Sequence, residues 1–241
     1  MHYFIRLSYD GTSFVGWQRQ PNGISVQEVI EEKLSKILRE TLQITGCGRT
    51  DTGVHARQYF AHFDTEQTLP QNIIYNLNSL AGNAIAIQEI FPVDAGKHAR
   101  YSALKRTYKY FIHFEKDPFR ELYSFQLHEW KPGKEYLNSM AAKLLGEHDF
   151  SAFEKKGSDN KNSLCHVYEA YWETMDNGMV FTITANRFLR NMVRAITGTL
   201  LSVALKKMEE ESVWEHFEKK EQLNVKLAVP AKGLFLWNIE Y

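Results

Sequence analysis

The 241-residue sequence predicts an α/β protein built as two halves, 1–103 and 104–241. Three observations predict this. From Met1 to Ile90, alternating and helix-periodic stretches follow in the order strand, helix, strand, helix, strand. From Tyr108 to Tyr241 the order is strand, helix, hairpin, helix, helix, strand. The two series join near Pro92 to Ala103, after a turn at Pro92 to Gly96. The pattern leaves open whether the halves share one sheet, and no residue-level repeat relates them.

In the first half, Tyr3, Ile5 and Leu7 alternate with Phe4 and Arg6, and Asp10-Gly11-Thr12 ends that strand in a turn. Phe14 to Gln20 is a polar-aromatic loop; either Trp17 packs it over the core, or Trp17, Gln18, Arg19 and Gln20 face a partner. Ser25 to Leu42 reads as a helix. Ser25 and Glu28 form a capping box, and Val26, Val29, Ile30, Leu34, Ile37 and Leu38 form an apolar stripe opposite a charged, solvated face. A glycine-rich stretch leads to a strand at Gln58 to Phe63. A short helix (Asn72 to Leu80) and a strand (Ala84 to Ile90) follow.

In the second half, a strand places Tyr108, Tyr110, Ile112 and Phe114 on one face and Thr107, Lys109, Phe111 and His113 on the other. Lys116 to Gly133 is a long excursion. Lys134 to Leu145 is a helix closed by Gly146, and Lys155 to Ser163 is a polar segment expected to be a mobile loop. Asp176-Asn177-Gly178 joins His166 to Thr174 and Met179 to Ala185 as a hairpin. Phe188 to Val203 is a helix on which Arg187, Arg190 and Arg194 fall within about 60° of one another, opposite the apolar stripe. An acidic helix after Lys206 and a strand from Phe235 to Tyr241 complete the chain.

With 44% hydrophobic residues, the chain can bury a sizeable core. It has two cysteines, Cys47 and Cys165, and neither lies in a CxxC pattern, which fits a reducing compartment. There is no apolar run of about 18 residues and no signal core, so a soluble cytoplasmic protein is expected. Net charge is zero, with 29 basic and 29 acidic residues, but the charge is segregated. Lys97 to Lys109 holds five Lys or Arg and no acid; Asn186 to Leu205 holds three Arg and no acid. Met208 to Glu221 is strongly acidic. Local positive fields therefore exist without a positive total.

The stretch from Gly46 to Asp64 stands out. Gly46, Gly48 and Gly53 surround Arg49 and Asp51, and glycines permit tight backbone paths and close approach of a partner. On residue types alone the loop also reads as a surface turn with an Arg–Asp ion pair. No HxxxH beside a carboxylate, P-loop, GxGxxG or GxSxG occurs, so no metal or nucleotide cofactor is expected. What remains is a carboxylate, arginines and aromatics. That combination suits a protein holding an unstacked nucleotide, with Asp51 as nucleophile or base.

Seven motifs in order resemble the tRNA pseudouridine synthase A family: YDGTSFVGWQRQ with SVQEVIEEKL, GRTDTGVHA (Gly48 to Ala56), HARYSA (His98 to Ala103), KRTYKY (Lys105 to Tyr110), GEHDFSAF (Gly146 to Phe153), FLRNMVR (Phe188 to Arg194) and the APAxGL-like tail. The resemblance implies the pseudouridine synthase fold, an antiparallel-rich mixed sheet in two pseudo-related halves flanked by helices, with an active cleft between them. It implies cofactor-independent conversion of uridine to pseudouridine at positions 38, 39 and 40 of the tRNA anticodon stem-loop, by a homodimer gripping one tRNA. Asp51 matches the family's essential aspartate, with nucleophile and base roles both open. Arg49 matches the arginine that displaces the target nucleotide, Tyr108 the tyrosine that stacks on the uracil, and Arg194 the arginine that pairs with the aspartate. Arg57, Arg100, Lys105, Arg106 and Arg190 are further candidates for RNA contact. Cys165 stands where many members carry arginine, and Thr52 where alanine is common.

Overall fold

The computed structural model describes residues 1–128, 133–155, 157, 162–223 and 227–241. They divide into two units, Met1–Leu104 with Phe235–Tyr241, and Lys105–Leu234. Most of the segment expected to be a mobile loop lies outside the described residues.

In the first unit, strand β1 (His2–Tyr9) is flanked by β3 (His55–Asp64) and β4 (Ile85–Pro92), both antiparallel. Ile5 stands opposite Ala61 on one side and Ile90 on the other. A two-residue strand, β2 (Thr45–Gly46), pairs antiparallel with β3, and β10 (Leu234–Glu240) lies parallel to β3 with Phe235 opposite His55. Parallel neighbours need a long connection, and here the chain between β3 and β10 includes β4 and the second unit. Tyr3, Phe4, Ile5 and Leu7 are all buried, so the centre of the sheet is covered on both faces. Each such side chain contributes roughly 1.5–3 kcal/mol.

Helix α1 (Val26–Leu38) begins where the capping box is predicted: the Ser25 hydroxyl oxygen accepts from the Glu28 N–H at 3.2 Å. It ends before the expected Leu42 because Arg39 turns left-handed (φ 54°) and Ser35 Oγ takes the Leu42 N–H at 2.9 Å. Val26, Ile30, Leu34 and Leu38 form the buried stripe. Beside the stripe one charged residue is also buried: Glu31, which accepts from Gln27 Nε2 at 2.9 Å and the Ile44 N–H at 3.0 Å. Helix α2 (Ile73–Ala81) is pinned to β4, since Asn78 both accepts from the Ile87 N–H (2.7 Å) and donates to its carbonyl (2.9 Å).

In the second unit, β5 (Lys105–His113) pairs antiparallel with β9 (Gly178–Ala185), and β9 with β8 (Leu164–Met175). The β8–β9 turn forms as predicted, with Asn177 left-handed at φ 48°. All eight positions of β9 are buried, the mark of a strand covered on both faces. Two short strands escape the pattern. One is β6 (Phe125–Gln126), parallel to β5; the other is β7 (Gly146–Asp149), antiparallel to β8. Helix α3 (Lys134–Ala142) stops before the predicted Leu145, and Gly146, at φ 97°, opens β7. Helix α3 packs on β8, where Asn138 brackets the Trp172 backbone. Helices α4 (Met192–Ala204) and α5 (Glu210–Lys219) follow. Across both units the pairing is antiparallel-rich, as the expected α/β fold requires.

Candidate active site

The loop carrying Asp51 is held from two sides within the first unit. On one side is β3: the Cys47 N–H donates to the Phe60 carbonyl at 2.8 Å, and the Tyr59 hydroxyl donates to the Gly48 carbonyl. On the other side is the Tyr9–Trp17 segment. The Trp17 N–H donates to the Thr50 carbonyl (3.3 Å), the Gly53 N–H to the Phe14 carbonyl (3.4 Å), and the Tyr9 hydroxyl bonds Thr50 Oγ1 (2.9 Å). Trp17 is buried and stacks on Tyr59, with ring centroids 4.0 Å apart. Of the two roles open to Trp17, packing is the one observed. Arg19, on the same loop, pairs with Glu28 and Glu31.

Within the loop, the Val54 N–H donates to the Asp51 carbonyl at 3.1 Å, closing a turn that puts Gly53 at φ 77°. The glycines have different jobs. A Cβ on Gly46 would land on the Tyr59 hydroxyl and the Trp17 indole, so Gly46 makes room for the protein's own aromatics. A Cβ on Gly48 would meet nothing within 4 Å, so open space remains there for a partner's approach. Thr50 is buried, Asp51 half-buried, and Arg49 and Thr52 exposed. The chain thus buries the framework of the loop and presents a carboxylate and a guanidinium from it.

Arg57, on β3, and Arg100, in the HARYSA segment, are also exposed. HARYSA is fastened to β3 and β10: the Ala99 N–H donates to His62 Nδ1 (3.1 Å), and the Tyr241 hydroxyl donates to the Ala99 carbonyl (2.7 Å). His62 lies between the His2 and His98 rings, at centroid distances of 5.0 and 4.6 Å. Burial, then the neighbouring His98 and His2, hold His62 down at about 4 against an ordinary 6.5; Asp64 opposes them more weakly. The fold therefore favours neutral His62. Its contribution is intact above pH 6.5 and is lost progressively as pH falls from 6.5 towards 4. Urea unfolding at pH 7.5 and pH 5 should show His62→Asn, which keeps an acceptor for Ala99, losing less stability on acidification than the wild type. Equal losses would remove His62 as the acid-sensitive group.

In the second unit, Tyr108 is half-buried on β5, its ring edge-on to Phe188 at 5.0 Å and 85°. Tyr110, two residues on, is fully buried and donates to the Pro230 carbonyl at 2.8 Å. Burial raises its hydroxyl well above the usual range, offset in part by Arg194. Arg194 Nε donates to the Val229 carbonyl at 2.8 Å, and the Val229 N–H returns a bond to the Arg194 carbonyl at 3.2 Å. The tail segment that resembles the family's ending thus locks the arginine's stem. Arg106 Nη1 donates to the Asn186 carbonyl (2.8 Å), joining β5 to the end of β9, and the Lys105 ammonium sits 5.2 Å over the Tyr168 ring.

One expectation fails here. Arg187, Arg190 and Arg194 do not share a helical face. Asn191 is left-handed at φ 65°, the helix starts only at Met192, and Arg187 and Arg190 belong to the non-helical segment before it. Asparagine tolerates that conformation, and a left-handed residue breaks helical phase. Arg190 is exposed, whereas Arg187 Nη1 donates to Asn162 Oδ1 at 3.2 Å.

A family model described as tRNA pseudouridine synthase matches residues 6–102 and 140–241. The chain belongs to the tRNA pseudouridine synthase family. It is 42% identical over 241 residues to the tRNA pseudouridine synthase A of Azobacteroides pseudotrichonymphae, covering 99% of this chain and 96% of that one. To the proteins of the same name from Bacteroides thetaiotaomicron and Parabacteroides distasonis it is 42% and 41% identical, over 99% of this chain and 90% and 95% of theirs. The protein is accordingly an isomerase acting on tRNA.

In this pseudouridine synthase Cys165, where the resemblance leads one to expect arginine, packs in the interior. It is buried on β8, and burial pushes its thiol up to about 12, so it stays uncharged. Thr52 is exposed, where its hydroxyl costs nothing. Tyr101, within HARYSA, is among the most exposed aromatic rings of the described residues.

Proposed function

We propose that this synthase converts uridine to pseudouridine at positions 38, 39 and 40 of the tRNA anticodon stem-loop, without a cofactor, using Asp51. The reaction breaks the C1′–N1 bond, turns the uracil and joins C5 to C1′; the proton lost from C5 is balanced by one gained at N1. Asp51 acts on the target nucleotide as nucleophile or base. Arg49 displaces that nucleotide from its stack, Tyr108 stacks on the freed uracil, and Arg194 is the counter-charge to the carboxylate. Arg57, Arg100, Lys105, Arg106 and Arg190 hold phosphates. Two copies of the chain grip one tRNA in the cytoplasm.

The observation that carries this reading is the Asp51 loop. A half-buried carboxylate rises from a backbone fixed at Gly48, Thr50 and Gly53, with an exposed arginine beside it in sequence. A surface turn with a simple ion pair has no need of that framework. The test is tRNA from a strain lacking the endogenous synthase, complemented with this chain and mapped for pseudouridine. Restoration at 38, 39 and 40 is the expected result; pseudouridine at other positions only would overturn the site assignment.

A further inference from the structure

We propose that Tyr101 is a stacking platform for an unpaired base of the RNA substrate, adjoining the phosphate grip of Arg100. The inference rests on the reading of tRNA as substrate and adds a base contact to it. Tyr101 is 77% exposed, so most of its ring is open to a partner. Its backbone is nevertheless firmly placed. The Arg100 and Tyr101 N–H groups both donate to His98 Nδ1, at 3.1 and 3.3 Å. The His98 N–H donates to Ser102 Oγ and the Ser102 N–H to the His98 carbonyl, each at 2.9 Å. Ala99, in the middle of this turn, is bound to His62 and Tyr241. Six hydrogen bonds and a buried alanine thus hold a turn whose outermost side chain is an aromatic ring.

The surroundings of the ring indicate the ligand. The Arg100 guanidinium lies 5.7 Å from the Tyr101 centroid, and the His98 ring lies 4.3 Å away at 38°. A ring supported by cationic and aromatic neighbours offers its exposed surface to another π-system, and the guanidinium supplies a charge for the adjacent phosphate. Five basic residues and no acid lie between Lys97 and Lys109. Phe119, 90% exposed, has Asp117 and Glu121 two residues away on either side, and the neighbouring Arg120 is paired with Asp117 and Asp176, so its setting is mixed in charge. An exposed ring within a positive stretch fits an unpaired nucleotide better than an apolar protein surface.

The test is the Kd of the full chain for a fluorescently labelled, unmodified tRNA transcript across a salt series. Tyr101→Ala should raise Kd roughly 5- to 100-fold, the range of base–aromatic stacking, with the slope of log Kd against log salt unchanged. Tyr101→Phe should bind within about two-fold of wild type, and Tyr101→Leu should lose as much as alanine, because stacking needs a π-face. Arg100→Ala should instead flatten the slope by roughly 0.7–0.9, as loss of one phosphate contact does. Wild-type affinity in Tyr101→Ala or Tyr101→Leu overturns the proposal, as does a changed slope in Tyr101→Ala. If the assignment to positions 38–40 is wrong, pseudouridine maps elsewhere in the wild-type product and the comparison of Kd values still stands.

Discussion

Asp51→Asn should bind tRNA within about three-fold of wild type and form pseudouridine at least about 10²-fold more slowly. The substitution keeps the shape of the side chain and removes its charge. The loop is also held independently of that side chain: Thr50, Gly53 and Val54 are fixed through backbone groups and through Tyr9, Trp17 and Phe14. Binding and folding are therefore expected to survive, and a thermal melt should confirm the latter. The size of the loss separates the two roles left open by the sequence. A general base is worth roughly 10²–10⁴-fold, whereas removing a nucleophile has cost up to about 10⁶-fold. A loss beyond about 10⁵ in single-turnover assays assigns the nucleophile; a loss within 10²–10⁴ assigns the base. A rate near wild type would remove Asp51 from the chemistry altogether.

The sequence was legible where a local rule decides. Ser25 caps α1 because a hydroxyl three residues before Glu28 meets its N–H, and Asn177-Gly178 turns because asparagine accepts a positive φ. It was illegible where tertiary contacts decide. Strand β2 is two residues long and exists only because Thr45 and Gly46 find His62 and Ala61 across from them. The arginines around α4 misled because a wheel assumes continuous helical phase, and one left-handed residue, Asn191, cancels it. The candidate site shows the same division. Asp51 and Arg49 stand out as charges among glycines. What holds them is spread over Tyr9, Trp17 and Tyr59, aromatics that single-sequence patterning can only call core. Asp51 and Arg49 are therefore legible from their local pattern, whereas the aromatics around them are explained by the hydrogen bonds they make.

Gly16→Ala should be severely damaging, because strain and a backbone clash coincide there. Gly16 has φ 101°, where alanine is strained by about 1–3 kcal/mol. Its Cβ would strike the Thr50 carbonyl oxygen and lie 3.2 Å from the Asp51 carbonyl carbon. The neighbour is backbone, which cannot swing aside as a long side chain does, so overpacking adds roughly 1–3 kcal/mol. The Trp17 N–H to Thr50 carbonyl bond runs through the same contact, so the strain falls on the segment that places Asp51. We expect a stability loss of about 2–5 kcal/mol in urea unfolding. At temperatures where the variant remains folded, we expect a fall in kcat on the order of 10²-fold, since a displacement of about 1 Å can cost that much. Gly48→Ala is the control. Its φ is not positive and its Cβ would meet nothing within 4 Å, so stability should hold within about 0.5 kcal/mol. Any activity that Gly48→Ala loses then measures how closely the RNA approaches the loop. If Gly16→Ala keeps wild-type kcat while folded, the Tyr9–Trp17 segment does not position the carboxylate, and the placement of Asp51 must come from β3 alone.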